Sequence, residues 1–275
     1  MIKLTGLTMF GRDPVALPHT ALRFPGGEIH VTLGEHVSAM KGDRLCEFDI
    51  TAHLPNADAF MELLMVTDAL RRSYPGSPLN LHMPYVPYAR QDRVNNPGES
   101  HSSKVFCSLI NAQNYNSVTI QEPHSDVTTA LLDRVVVQDP LPAIARVVTQ
   151  VVAHSGQAPV LISPDAGARK RTLKIAKALN LEVIYADKVR DTKTGAITGT
   201  EVQGIVPDAP LLVIDDICDG GRTFIELGKV LPGASYLYLY VTHGIFSKGL
   251  DDLLVHFDGI FSSNNWIDDP RCLTV

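Results

Sequence analysis

The chain is poor in cysteine and carries no excess of positive charge. Its four cysteines, Cys46, Cys107, Cys218 and Cys272, are scattered, with no CxxC pair and no metal-finger spacing. A disulfide scaffold and a zinc ribbon are excluded, and the thiols read as reduced, mostly buried side chains of a cytoplasmic protein. The formal net charge of −6 argues against general nucleic-acid binding, while leaving room for a local basic site that grips a nucleotide. No apolar stretch is long enough to span a bilayer, so no membrane partner is expected. The opening segment MIKLTGLTMFGRDP has no long apolar core ahead of its proline and does not read as a signal peptide. Low-complexity tracts are missing as well.

What is present is the material of a globular core. With 275 residues, 45% hydrophobic and 20% charged, the chain can form one large domain or two of ordinary size. Strands are expected at Leu79–Val86, Ser117–Glu122, Arg134–Gln138, Pro159–Asp165, Glu182–Asp187, Leu211–Asp216, Ser235–His243 and Gly259–Ser262. Several are continuous apolar runs, as parallel strands covered on both faces require. Helical stripes lie between them: Phe60, Leu63, Leu64, Thr67 and Leu70, then Leu173, Ala176 and Leu179 with Asn180 as a stop. The alternation implies βαβ units and an α/β fold of two doubly wound parallel-sheet domains. The segment QDPLP, Gln138–Pro142, reads as the hinge. It divides an N-terminal domain, 1–139, from a C-terminal domain, 140–275, with a return of the final residues to the first domain left open.

The most informative stretch is Leu212–Phe224, LVIDDICDGGRTF. An apolar run ends in Asp215 and Asp216; Asp219, Gly220, Gly221, Arg222 and Thr223 follow, and a helical pattern begins. A loop entering a helix offers backbone N–H groups and a positive dipole end to an anion. Three carboxylates repel an anion unless they serve another part of the ligand, such as ribose hydroxyls or a divalent cation. A phosphorylated ribose satisfies both halves of the loop. The second stretch, PYVPYARQDR at Pro84–Arg93, gathers two arginines, an aspartate and two tyrosines behind a strand. Arg90 and Arg93 suit a polyphosphate, whose oxygens match guanidinium forks, while Gln91 and Asp92 can orient a nucleotide.

Together these two loops resemble those of the ribose-phosphate diphosphokinases, the PRPP synthetases, whose domains are of phosphoribosyltransferase type. Further segments are similar in the same order: RFPGGEIHV at Arg23–Val31, MELLMVTDALRRSYPG at Met61–Gly76, SPDAGA at Ser163–Ala168, DKVR at Asp187–Arg190 and YVTHGIFSKG at Tyr240–Gly249. YARQDR separates the diphosphokinases from bare phosphoribosyltransferases. The resemblance implies transfer of the β,γ-diphosphoryl group of ATP to the 1-hydroxyl of ribose 5-phosphate, with Mg2+ as the metal. It implies ATP contacts from Arg90, Gln91, Asp92 and Arg93, joined across a subunit interface by Phe24 and Glu28 of a homo-oligomer partner. His124 and Asp165 correspond to the metal-linked pair. Lys188 and Arg190, with His124, correspond to catalytic groups, the two cations opening a mobile lid over Asp191–Gly199. Asp215, Asp216, Asp219, Gly220, Gly221, Arg222 and Thr223 correspond to the ribose-phosphate loop.

Departures from the family pattern concern the acceptor. Gly220 stands where the family has threonine and Arg222 where it has glycine. The lost hydroxyl removes a hydrogen bond worth roughly 1.5–3 kcal/mol if charge-assisted. The long cation restores charge or caps a pocket opened for a larger group. Hence an alternative acceptor, a ribose whose 5-phosphate is substituted, such as ADP-ribose. Gly26 replaces an acidic family position. The segment Glu35–Asp43 lacks the usual arginine-glycine pair, and the family's final helix has no counterpart after RCLTV; weak feedback by ADP and phosphate is the expectation. A non-catalytic nucleotide-binding regulator is a further alternative, which the retained acids and cations disfavour.

Overall fold

The computed structural model describes residues 1–8, 14–34, 45–190, 197–231 and 234–275, with the backbone alone for 188–190, 197 and 198. The segment Glu35–Asp43 lies outside the described residues, and so do 191–196 of the expected lid. The chain forms two compact units, Met1–Gln138 and Asp139–Val275.

The first unit contains β1 (Ile2–Thr8), β2 (Val15–Leu17), β3 (His19–Arg23), β4 (Ile29–Leu33), β5 (Leu45–Ala52), α1 (Ala57–Ser73), β6 (Leu79–His82), α2 (Ser102–Ala112), β7 (Ser117–Gln121), α3 (Asp126–Leu131) and β8 (Val135–Gln138). Its main sheet runs β2-β1-β5-β6-β7-β8. The four strands from β5 to β8 are parallel, while β1 pairs antiparallel with both β2 and β5. This antiparallel edge is not among the expected strands: β1 and β5 alternate buried with more exposed residues instead of forming unbroken apolar runs, and β2 has only three residues. Asn56 caps α1 by accepting the Ala59 N–H at 2.9 Å, and Leu63, Val66 and Leu70 face the sheet. Phe106, Cys107 and Ile110 of α2 close the same core against Phe48, Ile50 and Leu81. The β3–β4 hairpin is separate and is pinned to α1 by the Arg23–Asp58 ion pair and by a His19 Nε2–Glu62 Oε1 hydrogen bond of 2.9 Å.

The second unit contains α4 (Leu141–Ser155), β9 (Val160–Ser163), α5 (Arg169–Leu179), β10 (Val183–Arg190), β11 (Ile197–Val202), β12 (Leu211–Cys218), α6 (Arg222–Lys229), β13 (Leu237–Gly244), α7 (Asp251–Leu254), β14 (Gly259–Asn265) and β15 (Cys272–Thr274). The sheet order is β11-β10-β9-β12-β13-β14-β15, parallel except for the β10–β11 hairpin. Side chains on β12 alternate between two cores. Leu211 and Val213 meet Phe224, Leu227 and Leu253, whereas Leu212 and Ile214 meet Ile144, Val147 and Ile175. That division is why the strand reads as an unbroken apolar run: each face needs its own hydrophobic set. The final strand β15 pairs with β14 at the edge of this sheet.

Three local expectations need correction. Strand β6 stops at His82, short of Val86, because Pro84 and a Val86–Ala89 turn end it. The stripe on α5 is Thr172, Ile175 and Ala176, with Leu173 turned to solvent. Thr172 packs inward because its hydroxyl is satisfied by donating to the Ala168 carbonyl at 2.9 Å. Strand β12 does not stop at the acid pair but runs to Cys218, paired with β13 through Ile217 and Cys218. The stop at Asn180 holds, in the left-handed conformation at φ 53°.

Candidate functional site

In the second unit the connections leave β9 toward β10 on one side and β12 toward β13 on the other. The crevice between β9 and β12 is therefore a topological switch point, where open α/β sheets bind ligands at the carboxyl ends of their strands. Every acidic residue expected on the ribose-phosphate loop lies in the C-terminal half of β12 or just past it.

The β9 end builds the first wall. Ser163 donates its hydroxyl to the Asp165 carbonyl at 2.9 Å, and Asp165 Oδ1 accepts the Ala168 N–H at 3.1 Å. The turn thus holds the half-buried Asp165 carboxylate at the mouth of the crevice. Arg171, in the first turn of α5, reaches across to the opposite wall. It forms an ion pair with Asp215 and places Nη1 3.3 Å from Asp216 Oδ1. Asp215 Oδ1 also accepts the Asp216 N–H at 2.9 Å. Burial, against the pull of Arg171 and with the Asp216 charge adding to it, holds the Asp215 carboxyl up at about 7.

The β12 end builds the second wall. Asp219 Oδ1 accepts from the Ser247 hydroxyl at 2.7 Å, and its carbonyl from the Ser247 N–H at 3.1 Å. The Ile245 and Phe246 N–H groups donate to the Cys218 carbonyl at 2.9 and 3.1 Å. The loop after β12 is thereby tied to the loop after β13. Gly221 precedes α6 at φ 76°, and a Cβ there would lie 3.2 Å from Leu253 Cδ2. Glycine is required on both counts. No side chain caps α6, so Gly220, Gly221, Arg222 and Thr223 present backbone and an exposed guanidinium to whatever approaches the helix start.

The first unit carries the basic loop. Between β6 and α2 a cavity of about 600 Å³ is lined by Arg90, Gln91, Asp92, Arg93, Glu99 and Ser102, among others. The Gln91 N–H donates to the Tyr88 carbonyl at 2.9 Å, with Tyr88 in the left-handed region at φ 64°. That strained corner turns the arginines outward while Ala89 stays buried. Asp92 is buried and accepts from Arg93 Nε at 2.8 Å and Nη2 at 3.3 Å. The Arg93 fork holds the Asp92 carboxyl at about 2, against the cost of burial, with help from Ser125 and the His124 ring. QEPHSD therefore meets YARQDR in space. The bare start of α2 opens into the same cavity through Ser102.

Other expected residues stand apart. Phe24 and Glu28 close the β3–β4 hairpin, the Phe24 N–H donating to the Glu28 carbonyl at 2.8 Å. Phe24 is 44% exposed and so is not a core aromatic. Neither residue lines the Arg90–Arg93 cavity of its own unit. The backbone of Lys188 and Arg190 continues strand β10, opposite Thr200 and Ile197 of β11, and their side chains lie outside the described residues. Residues 197–199 of the expected lid belong to β11. Asp187 is fixed by Arg169 and by Gln203, each at 2.6 Å. Arg171 and Lys248 are absent from the sequence-derived site. Only the β9–β12 adjacency shows that an arginine on α5 reaches the acid pair, although the ARKR run after SPDAG marks the basic helix start.

Residues 15–114 match the N-terminal domain of ribose phosphate pyrophosphokinase. A ribose-phosphate pyrophosphokinase of Granulibacter bethesdensis is 33% identical over 232 residues, covering 82% of this chain and 72% of that protein. One of Rhizobium meliloti is 33% identical over 84% of this chain and 73% of its own length, and one of Sulfurisphaera tokodaii 26% over 92% and 86%. The fold is that of the phosphoribosylpyrophosphate synthetase of Mycobacterium smegmatis, with TM-score 0.79 at 22% identity over 95% of this chain and 86% of that one. The chain belongs to the ribose-phosphate pyrophosphokinase family.

Proposed function

We propose that this protein is an ATP-dependent diphosphokinase that converts ribose 5-phosphate to phosphoribosyl pyrophosphate and AMP. The observation that carries the reading is the family membership, at 33% identity over 82% of the chain, joined to an acid-rich loop at the switch point of the second unit. In this reaction the 1-hydroxyl oxygen of the sugar attacks the β-phosphorus of ATP. The bond from that phosphorus to the oxygen bridging the α-phosphate breaks in line. AMP departs with the bridging oxygen, and the hydroxyl proton passes to solvent.

Positioning and charge neutralisation are the protein's work in such a transfer. In the proposed arrangement Arg90 and Arg93 hold the polyphosphate, Gln91 orients the nucleotide, and Asp92 fixes the Arg93 fork. The start of α6, through Gly220, Gly221, Arg222 and Thr223, takes the 5-phosphate. Asp215, Asp216 and Asp219 accept from ribose hydroxyls. Lys188 and Arg190 supply charge to the reacting phosphates, and His124 contacts them. Phe24 and Glu28, exposed at a hairpin tip, are suited to completing the nucleotide site of a neighbouring copy in a homo-oligomer.

The half-buried Asp165 carboxylate at the end of β9 suits a divalent cation, which we assign as Mg2+. Among the described residues no three His, Cys, Asp or Glu side chains converge as a metal cage. Mg2+ does not need one: it keeps several waters and takes one or two carboxylates besides substrate phosphates. Asp165 would supply such a carboxylate, and His124 would contact the phosphates. When bound, the ion neutralises charge that builds on the phosphates.

A second acceptor, a ribose with a substituted 5-phosphate such as ADP-ribose, is favoured by one observation. Gly220 carries no side chain and Arg222 is exposed at the helix start. Turnover with ATP, Mg2+ and each acceptor, read by AMP release and product mass, tests both. No described helix is long and apolar enough to cross a membrane; a cytoplasmic enzyme remains our reading.

A further inference from the structure

Gly220 has a neighbour that the acid loop does not explain. A Cβ built on it would lie 3.6 Å from Lys248 Cε and 3.7 Å from Lys248 Cδ. The lysine stem therefore packs over the glycine, and its ammonium, one bond beyond Cε, stands beside the start of α6. Long cationic side chains commonly rest their methylenes on such a surface and keep the charge in water. Lys248 makes no ion pair with another described residue.

The placement is built rather than incidental. The Ser247 N–H and hydroxyl both bind Asp219, and the Gly249 N–H donates to the Phe246 carbonyl at 2.8 Å. The backbone is thus anchored on both sides of Lys248. Phe246 is buried in the left-handed region at φ 48°. A Cβ on Gly244 would sit 2.1 Å from its ring, so bare backbone at 244 is what admits the ring. The loop after β13 is in this way folded back onto the loop after β12.

We propose that Lys248 is a specificity-determining residue, its ammonium binding phosphoryl oxygens at the 5-end of the ribosyl acceptor above Gly220. The proposal rests on the diphosphokinase reading, with the acceptor's 5-end at the α6 start. The chemistry it recognises is a phosphoryl anion, whether a monoester, as in ribose 5-phosphate, or part of a diphosphate, as in ADP-ribose. With Arg222 it gives the site two exposed cations in addition to the helix N-terminus. A Cβ at 220 would meet the stem at ordinary contact distance, so alanine is accommodated, while a side chain longer than alanine would compete with the lysine for this space.

The test compares wild type, Lys248→Met and Lys248→Arg by steady-state kinetics with both acceptors. Direct binding of ribose 5-phosphate and of ADP-ribose is measured by calorimetry alongside. Losing one charge-assisted contact should raise the acceptor KM about tenfold or more in Lys248→Met, with the KM for ATP and kcat within about twofold. Lys248→Arg should recover most of the loss. A larger loss for ADP-ribose than for ribose 5-phosphate places the ammonium on the second phosphate, and an equal loss places it on the first. An unchanged acceptor KM in Lys248→Met overturns the proposal, as does an equal rise in both substrates' KM. If wild type releases no AMP with either acceptor, the diphosphokinase reading fails. Binding then decides on Lys248 alone: weaker binding by Lys248→Met upholds its contact with the anion, and equal or no binding by wild type removes it.

Discussion

Arg171 on α5 and Asp215 on β12 form an ion pair across the crevice between β9 and β12. The pair joins the two walls of the proposed acceptor site and keeps the acid doublet in place before any ligand arrives.

Replacing Arg171 with Met should destabilise the protein by about 2 kcal/mol. A fully buried pair broken on one side costs about 3–5 kcal/mol, and Arg171 retains some solvent contact. Adding Asp215→Asn should restore part of the loss at alkaline pH, where the carboxyl left without Arg171 is ionised. Denaturant unfolding of the single and double variants measures the coupling.

The raised Asp215 carboxyl has a pH consequence with a definite sign. Its folded value, about 7, exceeds that of an unfolded chain. Its contribution to the stability of the ligand-free protein is therefore full below the usual carboxylate range and fades as pH rises through about 7. Asp215→Asn should gain stability relative to wild type between pH 5 and pH 8. Thermal unfolding across that range checks it; a difference constant with pH would contradict the buried, charge-crowded site.

Gly220 and Gly221 should respond oppositely to alanine. Gly221→Ala strains a positive φ and meets Leu253 at 3.2 Å, so a loss of about 1–2 kcal/mol is expected. Gly220→Ala meets the Lys248 stem at ordinary contact distance and should fold with wild-type stability. Melting temperatures of the two variants separate them.

On the nucleotide side, Arg90→Ala and Arg93→Ala should each raise the KM for ATP, leaving the acceptor KM nearly unchanged. One charge-assisted contact, about 1.5–3 kcal/mol, corresponds to a rise of about 10–100-fold. Arg93→Lys should recover little, since an ammonium cannot reproduce the two-point hold on Asp92.

The interior parallel strands were legible because burial on both faces writes them as apolar runs, as in LLVI of β12 and LYLYV of β13. The antiparallel edge β1, β2 and β5 was not: its signal is the alternation of buried and more exposed residues, as in IKLTGLT of β1, which is weaker than an unbroken apolar run. On α5 leucine at 173 masked the true stripe, in which a threonine is buried through its own backbone bond. The acid loop and the arginine loop stood out through local spacing. Arg171 and Lys248 did not, because each meets its loop only through sheet order, and that information is non-local.

The most direct measurement is AMP release from ATP with ribose 5-phosphate and Mg2+, with the mass of the sugar product read in the same tube. The predicted result is AMP together with ribose 5-phosphate heavier by one diphosphoryl group, abolished by EDTA and restored by excess Mg2+. ATP left intact with every ribosyl acceptor tried, at saturating Mg2+, would contradict it.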